Sequence, residues 1–166
     1  MSWLNKIRRG IATRGRLAAT LKVISSVCAA AVAVGFIYVL LVLLVFEEYT
    51  VFLKVALASA VGYAAVTLVR KLIDAPRPYE LLDFYTVPPK KKKGHSFPSR
   101  HVFSAFCIAT ITYSLATPIS VATLILGVII AVLRVLLGIH FVRDVVCGAL
   151  IGIATGIIGY LTVAYI

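Results

Sequence analysis

Five apolar runs, each nearly free of charge, dictate what this chain can become: residues 24–46, 51–69, 102–116, 119–137, and 144 to the C-terminus. About 20 apolar residues in a helix cross the ~30 Å hydrocarbon core of a bilayer. Lipid offers no hydrogen-bonding partner, so a spanning backbone must satisfy itself, and helices do so within one segment. With 61% hydrophobic residues and a mean hydropathy of +1.04, the composition exceeds the apolar share of a soluble domain. A length of 166 residues allows one domain. The expected fold is all-α: a polytopic membrane bundle of about five transmembrane helices, preceded by an interfacial amphipathic helix. The whole of 1–166 is one membrane-embedded domain, with a basic segment at 1–22 and a motif-bearing core at 50–160.

The net charge of +11 is clustered rather than spread. Lys6, Arg8, Arg9, Arg14, Arg16 and Lys22 interleave with Trp3, Ile7 and Ile11. Those three apolar residues are four apart and share a helix face, the pattern of a helix lying on an anionic leaflet. A nucleic-acid partner is excluded, because no such motif occurs and most of the chain is lipid-embedded. Cys28, Cys107 and Cys147 fall inside apolar runs at spacings that fit neither a metal site nor a disulfide framework, and read as small core residues.

The first run is too long for a signal-peptide core and ends in Phe46-Glu47-Glu48-Tyr49 rather than a cleavage site, so it reads as a lasting helix. Arg70-Lys71, then Pro76 and Pro78, close the second. A polar loop over 74–100 follows, with a lysine run at 90–93. The third run is short and is expected to begin at Ser99. Thr117-Pro118 turns into the fourth, which Gly138 closes. Gly148, Gly152 and Gly156 recur every four residues in the fifth, a small-residue ridge for close helix packing. With five crossings, the end of run two, the start of three, the end of four and the start of five share one side by parity. That side carries Arg70, Arg77, His101, Arg134, His140 and Asp144; the other offers only Glu47, Glu48, Tyr49 and a turn.

These residue types suit phosphate chemistry. Cleaving a phosphate ester needs cations on the equatorial oxygens, an in-line nucleophile and a proton for the leaving alkoxide. Arg70, Arg77 and Arg134 supply planar, permanently charged forks. Ser99 and backbone N–H groups at the start of run three add donors where a helix dipole favours anions. Asp144 follows His140 by four residues, so on a helix the two side chains are neighbours. A carboxylate that accepts one ring N–H leaves the other nitrogen free to attack. His101 then protonates the leaving oxygen and later activates water. His95 is the alternative acid, without a helix start at its flanks. No ligand cluster remains, so a metal-independent reaction without a cofactor is expected.

In these segments the chain resembles the type 2 phosphatidic acid phosphatase superfamily, whose signature is Lys-x6-Arg-Pro, Pro-Ser-Gly-His and Ser-Arg-x5-His-x3-Asp. The resemblance covers about residues 50–160, on Arg70-x6-Arg77-Pro78, Pro98-Ser99-Arg100-His101 and Arg134-x5-His140-x3-Asp144. It implies a phosphohistidine on His140, His101 as acid and then base, and lipid phosphates or diphosphates as substrates. Arg70 stands for the family's lysine, with Lys71 as an off-register substitute. Arg100 replaces glycine beside the phosphate site, and Leu133 replaces serine. Arg100 and Lys71 are therefore candidates for headgroup selectivity. Family members typically have three spans ahead of the first motif; here there are two, with the basic N-terminal segment in place of the third.

Two other classes fit parts of the sequence. A small proton or ion conductor would use His and Asp as a relay but calls for polar residues at midplane, where these runs are almost purely apolar. A scaffold binding anionic lipid through its basic face has no use for the His140/Asp144 spacing. The reading that uses all three motifs is a phosphatase in the cell membrane, with a lipid phosphate and the bilayer as partners. Candidate substrates are phosphatidate, phosphatidylglycerophosphate, polyprenyl (di)phosphates and polyprenyl-linked sugar phosphates. Of 17 Lys and Arg, all but Lys54 lie on or next to the motif side, which the positive-inside rule assigns to the cytoplasm.

Overall fold

Each apolar run is a helix in the computed structural model, which describes residues 3–81 and 94–164; the lysine run at 90–93 lies outside them. The elements are α1 (Trp3–Ala12), α2 (Gly15–Val45), α3 (Tyr49–Ile73), the short α4 (Pro78–Leu81), α5 (Arg100–Ile111), α6 (Thr117–Leu136) and α7 (Val142–Ala164). Four helices are long and apolar enough to cross a membrane; α5 is not. Its 12 residues rise only about 18 Å. It is the helix the others surround, with Val102 and Ala105 fully buried and Phe103, Cys107 and Ile111 nearly so. A helix enclosed by protein can be short, because its ends need not reach lipid headgroups.

The glycine ridge explains how α5 is held so tightly. A Cβ on Gly148 would stand 2.7 Å from the Ser99 carbonyl oxygen, and one on Gly152 would stand 2.6 Å from that of Phe103. Only hydrogen fits between α7 and the α5 backbone. The outer faces of the long helices are inverted relative to a soluble protein, with Val27, Val34, Leu57 and Leu150 exposed. Lipid covers such side chains in a bilayer.

The basic N-terminal segment differs from the expected single interfacial piece. Thr13 and Arg14 break it, and α2 already begins at Gly15, so residues 15–22 extend the first span rather than lie beside it. Leu17, Ala18, Ala19 and Leu21 are good helix formers and carry the helix outward. Within α1 the inward face is made by Arg8 and Ile11, both buried, while Trp3 and Ile7 point outward. Ile11 thus parts from the apolar face it was expected to share.

Candidate active site

The ends of α3, α5 and α6 and the turn between α6 and α7 meet around a cavity of about 270 Å³, and the N-terminal part of α2 closes one side. Arg70, Arg77, Arg100, Arg134 and Lys22 line it with both His101 and His140; among the described residues no carboxylate is in its wall. Five of the six residues that parity places on one side, Arg70, Arg77, His101, Arg134 and His140, face this space; Asp144 in the first turn of α7 is not in its wall. Five cations with no facing acid among the described residues suit this cavity to an anion.

His140 sits in the turn between α6 and α7. Gly138 adopts a φ of 64° after the C-cap of α6, the left-handed step that ends many helices. The N–H groups of Ile139 and His140 then donate to the Arg134 carbonyl, at 3.0 and 3.2 Å. On the other side, Asp144 lies in the first turn of α7, and its Oδ2 accepts the Phe141 N–H at 2.9 Å. This is the reciprocal half of a capping box, and it anchors the carboxylate to the turn bearing His140.

The His140–Asp144 link is less direct than the spacing suggests. His140 Nδ1 is 3.6 Å from Asp144 Oδ2, too long for a hydrogen bond. Ser96 stands between them. Its hydroxyl donates to Asp144 Oδ2 at 2.5 Å and lies 3.4 Å from His140 Nδ1. Both His140 and Asp144 are buried, and Ser96 is fully so. With Nδ1 turned to this pair, Nε2 is the ring nitrogen left for the cavity. Burial holds the imidazole below its ordinary pKa against the upward pull of Asp144, and the cations Arg77 and Arg70 lower it further. Both effects favour the neutral ring.

The cations are held in different ways. Arg70 is buried, and its Nη1 donates to the carbonyls of Ser96 and Pro98, which ties the second motif to the end of α3. Arg77 Nε donates to the Gly94 carbonyl at 3.0 Å. Arg134 Nε is buried with no hydrogen-bond partner among the described residues, a donor left for a ligand. Arg100 stacks on Tyr63, its guanidinium carbon 5.6 Å from the ring centroid.

Not every expected residue joins the cavity. Lys71 is exposed on α3 and absent from the wall, so Arg70 occupies the lysine position. Ser99 is fully buried just outside the wall; its N–H donates to the Asp144 carbonyl at 2.9 Å and its hydroxyl has no partner among the described residues. His95 is turned away, with Nδ1 3.1 Å from Asp74 and 3.0 Å from the Arg70 carbonyl. Sequence reasoning passed over Ser96, and Tyr79 also lines the cavity. The same reasoning missed the α2 contribution of Lys22, Ser25 and Ser26. The last had a readable signal: polar residues at i, i+3 and i+4 share one face of an otherwise apolar helix.

A second cavity, about 720 Å³ and almost wholly apolar, runs between α2, α3, α5 and α6. Arg100, His101 and Tyr63 line its polar end, and the first two also line the anion site. The two spaces are thus continuous in their walls: a charged chamber at the helix ends and a greasy channel in the bundle.

A multi-pass helical bundle with this anion site at its helix ends has the make-up of a membrane-embedded phosphatase. The chain belongs to the PAP2 superfamily, whose model matches residues 49–166. It is similar in structure to LpxE from Aquifex aeolicus, with 26% identity over 96% of this chain and 95% of that one and a TM-score of 0.70. The PAP2 type phosphatidylglycerolphosphate phosphatase from Bacillus subtilis shares the fold at 17% identity, with a TM-score of 0.67 over 96% of this chain and 85% of that one. Comparison with curated proteins by sequence returned no match.

Proposed function

We propose that the protein removes the terminal phosphate of a membrane lipid through a phosphohistidine on His140. The observation that carries this is the pair of adjoining cavities, one cationic and one apolar, which share Arg100 and His101 in their walls. The phosphate occupies the first with its oxygens on Arg70, Arg77 and Arg134, and the acyl or prenyl tail occupies the second. His140 Nε2 attacks phosphorus in line as the P–O bond to the lipid breaks, and protonated His101 gives its proton to the leaving oxygen. Neutral His101 then takes a proton from water, the hydroxide attacks phosphorus, the N–P bond breaks, and inorganic phosphate leaves with His140 restored. Asp144, through Ser96 and the capped turn, holds the ring and stabilises positive charge on it. Ser99, whose hydroxyl has no partner among the described residues, stands behind the wall as a further donor. No step calls on a metal.

The substrate is a glycerolipid phosphomonoester such as phosphatidate or phosphatidylglycerophosphate, or a polyprenyl (di)phosphate. Phosphate release from a panel of these by the wild type and by His140→Ala tests the reading. Turnover of at least one lipid phosphate by the wild type alone is expected, and an active His140→Ala enzyme would sink it. The charge bias of the flanking segments supports a site that faces the cytoplasm. Cysteines placed at positions 91 and 48 and probed on intact cells with an impermeant thiol reagent check this. Labelling at 91 but not at 48 would reverse the orientation.

A further inference from the structure

The N-terminal helix α1 lies outside the matched region of residues 49–166, yet one of its side chains reaches the turn that carries the nucleophile. Arg8 is 3% exposed. Its Nε donates to the Val135 carbonyl at 2.9 Å, and Nη2 stands 3.4 Å from the carbonyl of His140 itself. Nη1 faces Asn5 Oδ1 one turn earlier in α1, at 3.4 Å, which orients the fork. Around it Leu4 packs against the main core and Ile11 is buried, so the helix is docked and not merely laid alongside.

Arg8 adds to the hydrogen bonds that the turn makes within itself. The turn's N–H groups are taken inward, Gly138 on Val135 and Ile139 and His140 on Arg134. The carbonyls of Val135 and His140 point toward α1, where a cation at the C-terminal end of α6 also meets the negative end of the helix dipole. An exposed surface arginine would cap one carbonyl at most. A buried fork joining the last turn of α6 to the nucleophile's own peptide fixes where the ring can lie.

We infer that Arg8 is a positioning residue for His140, through which the N-terminal helix sets the nucleophile's attack geometry. The inference rests on the reading of His140 as nucleophile. It requires that loss of Arg8 slow the chemical step more than it weakens substrate binding, because the cationic wall that holds phosphate is supplied by other residues. A displacement of the ring by even an ångström is enough to cost about 10- to 100-fold in rate.

The test compares the full-length wild type with Arg8→Ala, Arg8→Lys, Lys6→Ala and His140→Ala. The substrate is whichever of phosphatidate, phosphatidylglycerophosphate and a polyprenyl diphosphate the wild type turns over fastest in detergent micelles. Arg8→Ala should lower kcat about 10- to 100-fold with KM changed less than about threefold. Added guanidinium should restore part of that loss and none of the loss in His140→Ala. Arg8→Lys keeps the charge but can reach only one of the two carbonyls, so its kcat should fall between. Lys6→Ala removes an exposed cation from the same helix and should match the wild type. Should Arg8→Ala not fold, Arg8→Lys decides alone, and a wild-type kcat in it overturns the inference. A folded Arg8→Ala with wild-type kcat, or with a loss confined to KM, overturns it equally. An active His140→Ala would instead remove the nucleophile reading beneath it.

Discussion

Two cavities of nearly equal size sit at opposite ends of the bundle, about 270 Å³ at the motif end and about 250 Å³ at the other. The first is ringed by five cations and two histidines. The second is lined by Ala109, Thr110, Tyr113, Ser120, Leu124 and Tyr160, with no charge at all. Both lie at helix ends, so a hollow there is not by itself a site. What makes one of them a site is the cost of burying charge. An arginine or histidine held out of water without a structural need is destabilising unless a ligand or a network compensates it. The motif end accepts that cost repeatedly, at Arg70, His140 and Asp144, and the far end does not accept it once among the described residues.

Substitutions at the two ends should therefore diverge. Asp144→Asn keeps the volume but removes the charge that holds the Ser96–His140 pair, and should slow turnover by about 10²- to 10⁴-fold in a folded protein. Tyr160→Phe, in the far cavity, should leave kcat/KM within about twofold. Equal losses at both ends would mean that general destabilisation, not site chemistry, governs the rates.

The next effect is on proton affinity. Burial holds the His140 pKa below the ordinary imidazole value, which is about 6.5. The unfolded chain then binds a proton at a higher pH than the folded one. Stability contributed by neutral His140 is present above about pH 6.5 and is lost as pH falls through the lower folded value. An NMR titration of the imidazole, assigned by its loss in His140→Ala, should show a midpoint below 6.5. A midpoint above it would mean that Asp144 outweighs burial.

Arg100→Gly should act more gently. Arg100 stacks on Tyr63 at the junction of the charged and apolar spaces. Its loss should reorder the preference among lipid headgroups, with the best rate changed less than about tenfold. Uniform losses on every substrate would give it a direct catalytic contact instead. The smallest effect expected is that of EDTA, which should leave activity intact while vanadate, a mimic of five-coordinate phosphorus, inhibits. Activity abolished by EDTA and restored by a divalent ion would contradict the arginine-based site.

How far the sequence could be read follows from the range of the interactions. The five helices, the ridge of Gly148, Gly152 and Gly156, and the gathering of motifs at one end are consequences of hydrophobic run length, local spacing and parity, all of which are linear properties. What escaped depends on contacts between distant segments. Arg8 looked like one more interfacial cation because its partners lie 127 and 132 residues away. Ser96 was hidden behind the plausible i, i+4 pairing of His140 with Asp144, since a spacing rule brings side chains near each other but does not fix a hydrogen-bond distance. The extension of α2 back to Gly15 was masked by its arginine and lysine, which tend to place a residue in the interface even where the backbone stays helical.

The central claim is that His140 becomes covalently phosphorylated during turnover. A phosphoramidate bond survives alkali and breaks in acid, so turnover of a ³²P-labelled lipid phosphate quenched in alkali should leave label on the peptide containing His140. The label should be absent in His140→Ala and lost on mild acid treatment. Steady turnover with no label on His140 at any quench time, in an enzyme whose release of phosphate is slower than its attack, would contradict the account.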